Sequence, residues 1–173
     1  AASTKYYNIH KKLEQAQKIR RRNKTLSVKS VQLIISRLGN LTVLDLSNAR
    51  ISLFPSEILS CSQLTDLNLA GNSIVNISKD FSKLQNLQRL SLFHNEITSI
   101  PEALTIISSL IELDIRNNRI AGITPTIRRF INLKKLLLSH NSITYLPSEL
   151  AELEAIEQLE IYGNPLNTLP QDV

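Results

Sequence analysis

The sequence predicts an α/β solenoid with one parallel strand per turn, preceded by a helical cap. Two observations carry this prediction. An eleven-residue pattern, Leu-x-x-Leu-x-Leu-x-x-Asn-x-Ile, recurs six times at one constant step, beginning at Leu41, Leu64, Leu87, Leu110, Leu133 and Ile156. Each copy also holds an aliphatic pair that alternates with period two: Leu44/Leu46, Leu67/Leu69, Leu90/Leu92, Leu113/Ile115, Leu136/Leu138 and Leu159/Ile161. That alternation belongs to a strand with one buried face. The step from Leu41 to Leu64 is too long for a hairpin but suits stacked parallel coils, each burying its apolar side against its neighbours.

Taken in chain order, residues 1–40 read as a basic helical cap and 41–173 as the six repeats. Residues 4–22 predict a helix, because Tyr6, Ile9, Leu13 and Ala16 recur at three- and four-residue steps without Gly or Pro, and Asn23 is a stop. Leu26 and Val28 alternate like a short strand, and a second helix, Val31 to Leu38, follows Ser30. Together these would cover the exposed apolar end of the first coil. Counting back one full step from the first copy aligns Val28, Val31, Ile35 and Leu38 but yields no proper strand.

Within each copy, counted from its opening residue, the ninth position carries Asn72, Asn95, Asn118, Asn141 and Asn164. There the chain turns inward and leaves backbone groups without ladder partners. An Asn amide has both donors and an acceptor, so a stack of them satisfies those groups coil by coil. The eleventh, fourteenth and eighteenth positions are apolar: Ile51 to Leu166, Phe54 to Leu169, and Ile58 to Val173. Pro55, Pro101, Pro147 and Pro170 follow the fourteenth position, as suits a turn into an irregular or short helical return.

These residues resemble the leucine-rich-repeat family in its 23-residue intracellular form, that of Ras-suppressor-like and Scribble-like scaffold proteins, with consensus Leu-x-x-Leu-x-Leu-x-x-Asn-x-Leu-x-x-Leu-Pro. The resemblance covers residues 41 to 173. It implies a curved right-handed coil with its parallel sheet on the concave side, an irregular or short-helix convex side, and a protein partner bound on the concave face. Small GTPases, phosphatases and kinases are the partner classes it suggests. Two departures stand out. Ala49 replaces the first ladder Asn, with Asn48 one place early, so the first coil should close differently; Ser78 and Thr124 replace the Pro.

Charge is divided along the chain. Residues 1–40 hold ten Lys/Arg against Glu14 alone, and 41–173 hold ten against fourteen Asp/Glu, so the basic character lies in the leader. The run Lys18 to Lys24 could be a nuclear-import signal, a nucleic-acid patch or an acidic-membrane contact, although only Tyr6 and Tyr7 offer rings for base stacking. Contact through Lys11–Lys24 is therefore the weaker alternative to a solvated cap face. The single Cys61 permits no internal disulfide and occupies a core position of its copy, which fits a reducing, cytoplasmic location, or a nuclear one if the basic run is an address. The sixth copy is cut short at Val173, so the expectation is either a segment of a larger signalling protein or an end that self-associates.

An enzyme is not expected, and neither is a cofactor, metal or small-molecule substrate. The four glycines form no phosphate loop, and His94 and His140 lie two coils apart, about 10 Å at ordinary strand spacing. Asp66, Glu112 and Asp114 read as scattered solubilising carboxylates. The binding surface is more telling. Third-, fifth- and seventh-position residues point outward, with the eighth at the strand's edge, and large side chains gather on copies three to six: Arg89, Phe93, His94, Arg116, Leu137, His140 and Tyr162. Exposed aromatic and Arg residues on one rigid face make a binding hot spot, and an open Leu137 adds to it. Copies one and two offer a flatter surface of small residues.

Overall fold

Seven three-residue strands line up in sequence order in one parallel sheet: β1 (Tyr6–Asn8), β2 (Val43–Asp45), β3 (Asp66–Asn68), β4 (Arg89–Ser91), β5 (Glu112–Asp114), β6 (Lys135–Leu137) and β7 (Gln158–Glu160). The structure is a computed structural model that describes residues 41–167 and the backbone of residues 6–8. From β2 onward each residue pairs with its equivalent one repeat later, Val43 with Asp66 and Leu113 with Leu136. The register is the repeat itself.

The aliphatic ladders form one continuous core. Leu44, Leu69, Leu92, Leu113, Ile115, Leu136 and Leu138 are fully buried, and Ile58, Phe81, Leu104, Ile127 and Leu150 close the far side. Cys61 is buried among them, and that burial pushes its thiol pKa up, as suits a small core residue. Short return helices lie where the Pro positions predicted, at Ser56–Ser60, Lys79–Lys83, Glu102–Thr105, Pro125–Arg129 and Ser148–Glu152. Pro55, Pro101 and Pro147 stand at the start of three of them, Ser78 caps the second by accepting from the Asp80 N–H, and Thr124 precedes Pro125 in the fourth.

The asparagine ladder forms as predicted. Asn118 donates through Nδ2 to the carbonyls of Leu92 (2.9 Å) and Ile115 (3.0 Å) and accepts the Ile97 N–H (2.9 Å). Asn72, Asn95, Asn141 and Asn164 repeat the scheme on their own coils. The first coil does close differently. With Ala49 unable to join the ladder, the Asn72 Oδ1 accepts both the Ala49 and Ile51 N–H groups, and Arg50 takes a left-handed φ of 59°.

One expectation needs correction. Tyr6–Asn8, placed within a helix over 4–22, is a strand whose backbone pairs with Val43–Asp45. The open edge of β2 offers unpaired backbone groups that a helix could not satisfy, and that demand outweighs the three- and four-residue apolar spacing. Tyr6 meets Val43 across 37 positions, against 23 for every later pair, which is why counting back one repeat finds no strand. The rest of the predicted cap, including the helix Val31 to Leu38, lies outside the described residues.

Candidate functional site

Strand parity decides which side chains are free. In β2, β3 and β5 the middle residue is buried and its neighbours are not, so third- and fifth-position residues stand on the concave face. The seventh position extends that face, and the eighth ends it with a sharp turn. Asn48, Gly71, His94, Asn117, His140 and Gly163 all have a positive φ, between 53° and 70°. Each of the first five then donates its N–H to the seventh-position carbonyl of the next coil, His94 to Arg116 at 3.0 Å and His140 to Tyr162 at 2.9 Å.

The two predicted histidines therefore have a structural duty. After Gly, residues such as Asn and His best tolerate the left-handed region, and the eighth-position row contains nothing else. Their rings remain exposed at the rim. The His140 ring meets Tyr162 edge-on at 5.0 Å, and Phe93 lies 6.0 Å from His94. Gly163 leaves room for that His140 ring, since a Cβ there would come 2.5 Å from Nδ1. This N-G-H-N-H-G row is the signal that marks the turn in the sequence.

Arg116 organises the rest of the predicted patch. Its Nε and Nη2 donate to the two carboxylate oxygens of Asp114 at 2.9 and 2.8 Å, and Nη1 reaches Glu160 at 3.4 Å. The guanidinium also lies 5.7 Å from the centre of the Phe93 ring. The hydrogen bonds to Asp114 raise the Arg116 pKa further, with burial opposing and the Asp114 and Glu160 charges assisting, so this cation persists at any pH the fold survives. Asp114, Leu137 and Glu160 are consecutive partners across β5, β6 and β7. Arg116 therefore spans coil five to touch coils four and six.

That span corrects the reading of Leu137. Expected as an open apolar contact, it is only 6% exposed, lying in register between the two carboxylates that Arg116 joins. Ser139, two residues on, is fully buried. Both lie on the coil that the Arg116–Glu160 pair crosses, an arrangement that a single-copy inspection of the row does not reveal. Arg89 is exposed but ion-paired with Asp66, one repeat earlier. Tyr162 is 59% exposed and Phe93 half-buried.

Coils one to four hold something the row-by-row reading missed. Asp45, Asp66, Glu112 and Asp114 surround Arg89 in one shallow depression floored by Leu44, Leu67 and Leu90. These carboxylates line one depression together with Arg89, so the surface of copies one and two carries charge as well as small residues. The signal was present: Asp66, Arg89, Glu112 and Lys135 alternate in sign along the third-position row, and charges one repeat apart are neighbours across the sheet. Asp66–Arg89, Glu96–Arg119 and Lys134–Glu157 pair in that way. Among the described residues, no three His, Cys, Asp or Glu side chains are grouped to hold a metal ion.

Comparison with known proteins agrees with this geometry. A leucine-rich-repeat family model matches residues 62–120 and 108–166, and a second leucine-rich-repeat model matches 40–61. A solved leucine-rich-repeat protein from Leptospira interrogans is 38% identical, with a TM-score of 0.77, and the match covers 80% of this chain. The chain spans only 35% of the length of that protein. No curated protein matches it. Repeats of this kind typically serve as non-catalytic modules for protein–protein interaction. With its strand register, asparagine ladder and six copies all in agreement, the chain belongs to the leucine-rich-repeat family.

Proposed function

We propose that the chain is a non-catalytic scaffold module that binds a folded protein on the concave face of coils three to six. One observation carries the reading: two aromatic clusters share this face, Phe93 with His94 and Arg116 on coils three and four, and His140 with Tyr162 on coils five and six. The coil stacking holds these side chains in place before any partner arrives, so little ordering entropy is lost on association. Arg116, tied to Asp114 and Glu160, is part of that rigid frame. A typical interface of about 800 Å² per partner would take roughly four such strands. By analogy within the family, an intracellular signalling partner such as a small GTPase, phosphatase or kinase fits this role.

Phe93→Ala combined with Tyr162→Ala tests the reading. Both residues face away from the core, so the melting temperature should move by no more than about 2 °C while partner capture is lost. Capture that survives in a folded double variant would move the site off this face.

A further inference from the structure

We infer that coils five and six carry a seat for a basic side chain of the protein partner, an arginine guanidinium or a lysine ammonium. This rests on the concave-face reading above and adds the chemistry of the group received. Both concave arginines are already engaged within the chain, Arg89 by Asp66 and Arg116 by both oxygens of Asp114. An incoming carboxylate would find no free fork. Glu160 is served less well. One of its oxygens meets Arg116 only at 3.4 Å, and the other accepts from the neutral Gln158 amide at 2.7 Å, which orients the carboxylate without cancelling its charge.

Two further groups converge beside it. Ser139 follows the concave parity and lies between the seventh-position residues Arg116 and Tyr162, yet its Oγ is buried and has no hydrogen-bond partner among the described residues. A buried hydroxyl without a partner is uncommon, and a ligand N–H would supply what it lacks. Tyr162 stands two residues after Glu160 on the same face, 59% exposed, with an edge contact to His140. Because Ser139 is fully buried, an incoming N–H reaches its Oγ only as a neighbouring side chain moves aside, and Tyr162 holds the same position on the next coil. Carboxylate, hydroxyl acceptor and aromatic face are the three groups that hold a desolvated organic cation. Lys135 lies on the same face but at the third position, so the seat is on the seventh-position side of Leu137.

The test uses the full chain, isotopically labelled, titrated with the capped peptide Gly-Arg-Gly-Arg-Gly and, separately, with its Glu counterpart, while amide shifts are followed by NMR. The Arg peptide should shift Ser139, Glu160 and Tyr162 first, and the Glu peptide should not. Loss of a charge-assisted contact in Glu160→Gln should weaken binding about fivefold or more, Ser139→Ala by about threefold, and Glu160→Asp less than either. Shifts centred on Asp45 and Asp66, or binding unchanged in Glu160→Gln, would overturn the seat. If the peptide ignores this surface while the Phe93/Tyr162 double variant still loses partner capture, the seat falls and the concave-face reading stands. If the peptide binds as described but capture is untouched, only the broader reading falls.

Discussion

Behind the sheet, the ninth-position asparagines repeat one set of bonds from coil to coil; on the concave face, two positions away, neighbouring coils make different contacts. Asn95 and Asn118 each join the carbonyls of two successive coils and receive the N–H of a residue in the coil before, Ile74 and Ile97. Arg116 and Arg89 occupy the same open surface yet behave differently. Arg89 pairs with the adjacent coil, whereas Arg116 clasps its own coil and reaches over the next to the one beyond. Interior bonds serve backbone groups that every coil presents, so their chemistry must recur. Surface side chains answer to no such requirement, and their reach across coils creates contacts that a repeat cannot specify.

The sharpest break of that contrast is Asn118→Ala. It strips the Leu92 and Ile115 carbonyls and the Ile97 N–H of their shared partner inside the coil. Both carbonyls keep a second donor, Asn95 for Leu92 and Asn141 for Ile115, so the Ile97 N–H alone is left unsatisfied, and with the small cavity left by the amide the loss should be about 2–3 kcal/mol in urea unfolding. Coil one shows how the loss can be absorbed, since Ala49 already stands in the ladder position and the Asn72 Oδ1 takes the extra N–H. A small effect at Asn118 would mean that the adjoining asparagines can close an interior coil in the same way.

The same division explains what was legible beforehand. Every ladder residue from Leu41 to Leu153 was readable, because a position that recurs must serve something that recurs. The left-handed turn was equally periodic but hidden by chemistry, as His94 and His140 look like binding residues until placed beside Gly71 and Gly163. The burial of Leu137 was not legible because the ion pair that crosses its coil, Arg116 with Glu160, joins two copies on either side of it. The strand at Tyr6–Asn8 escaped because its pairing breaks the step that every later strand keeps.

Leu137→Ala asks whether the face has acquired a core of its own. Its equivalents in coils three and four, Ser91 and Asp114, are partly buried polar residues, so an ordinary position on this row would lose little apolar packing. A buried leucine under a polar roof should lose about 2 kcal/mol, at the low end for core truncations because the site lies at the face and not within the coil. Gly163→Ala comes next. A left-handed φ of 70° and a Cβ 2.5 Å from the His140 Nδ1 predict a loss of about 1–2 kcal/mol, read by thermal melting. Adding His140→Gly should recover the steric share and leave the backbone share. No recovery would show that the ring yields freely.

Arg116→Ala should show the smallest single effect and the most informative coupling. The side chain is 30% exposed, and solvent screens the pair with Asp114, so about 1 kcal/mol is the expected loss, shrinking further in high salt. Its larger consequence concerns Leu137. If the guanidinium roofs that leucine, removing Arg116 admits water, and Leu137→Ala then costs less in the Arg116→Ala background than in the parent. A double-mutant cycle measured by urea unfolding should give a coupling of about 0.5–1 kcal/mol, well above the few tenths typical of independent sites. Strict additivity would dissolve the roof into two unrelated contacts. The coupled result would establish a cooperative surface layer across coils four to six, built by side chains that the repeat places two coils apart.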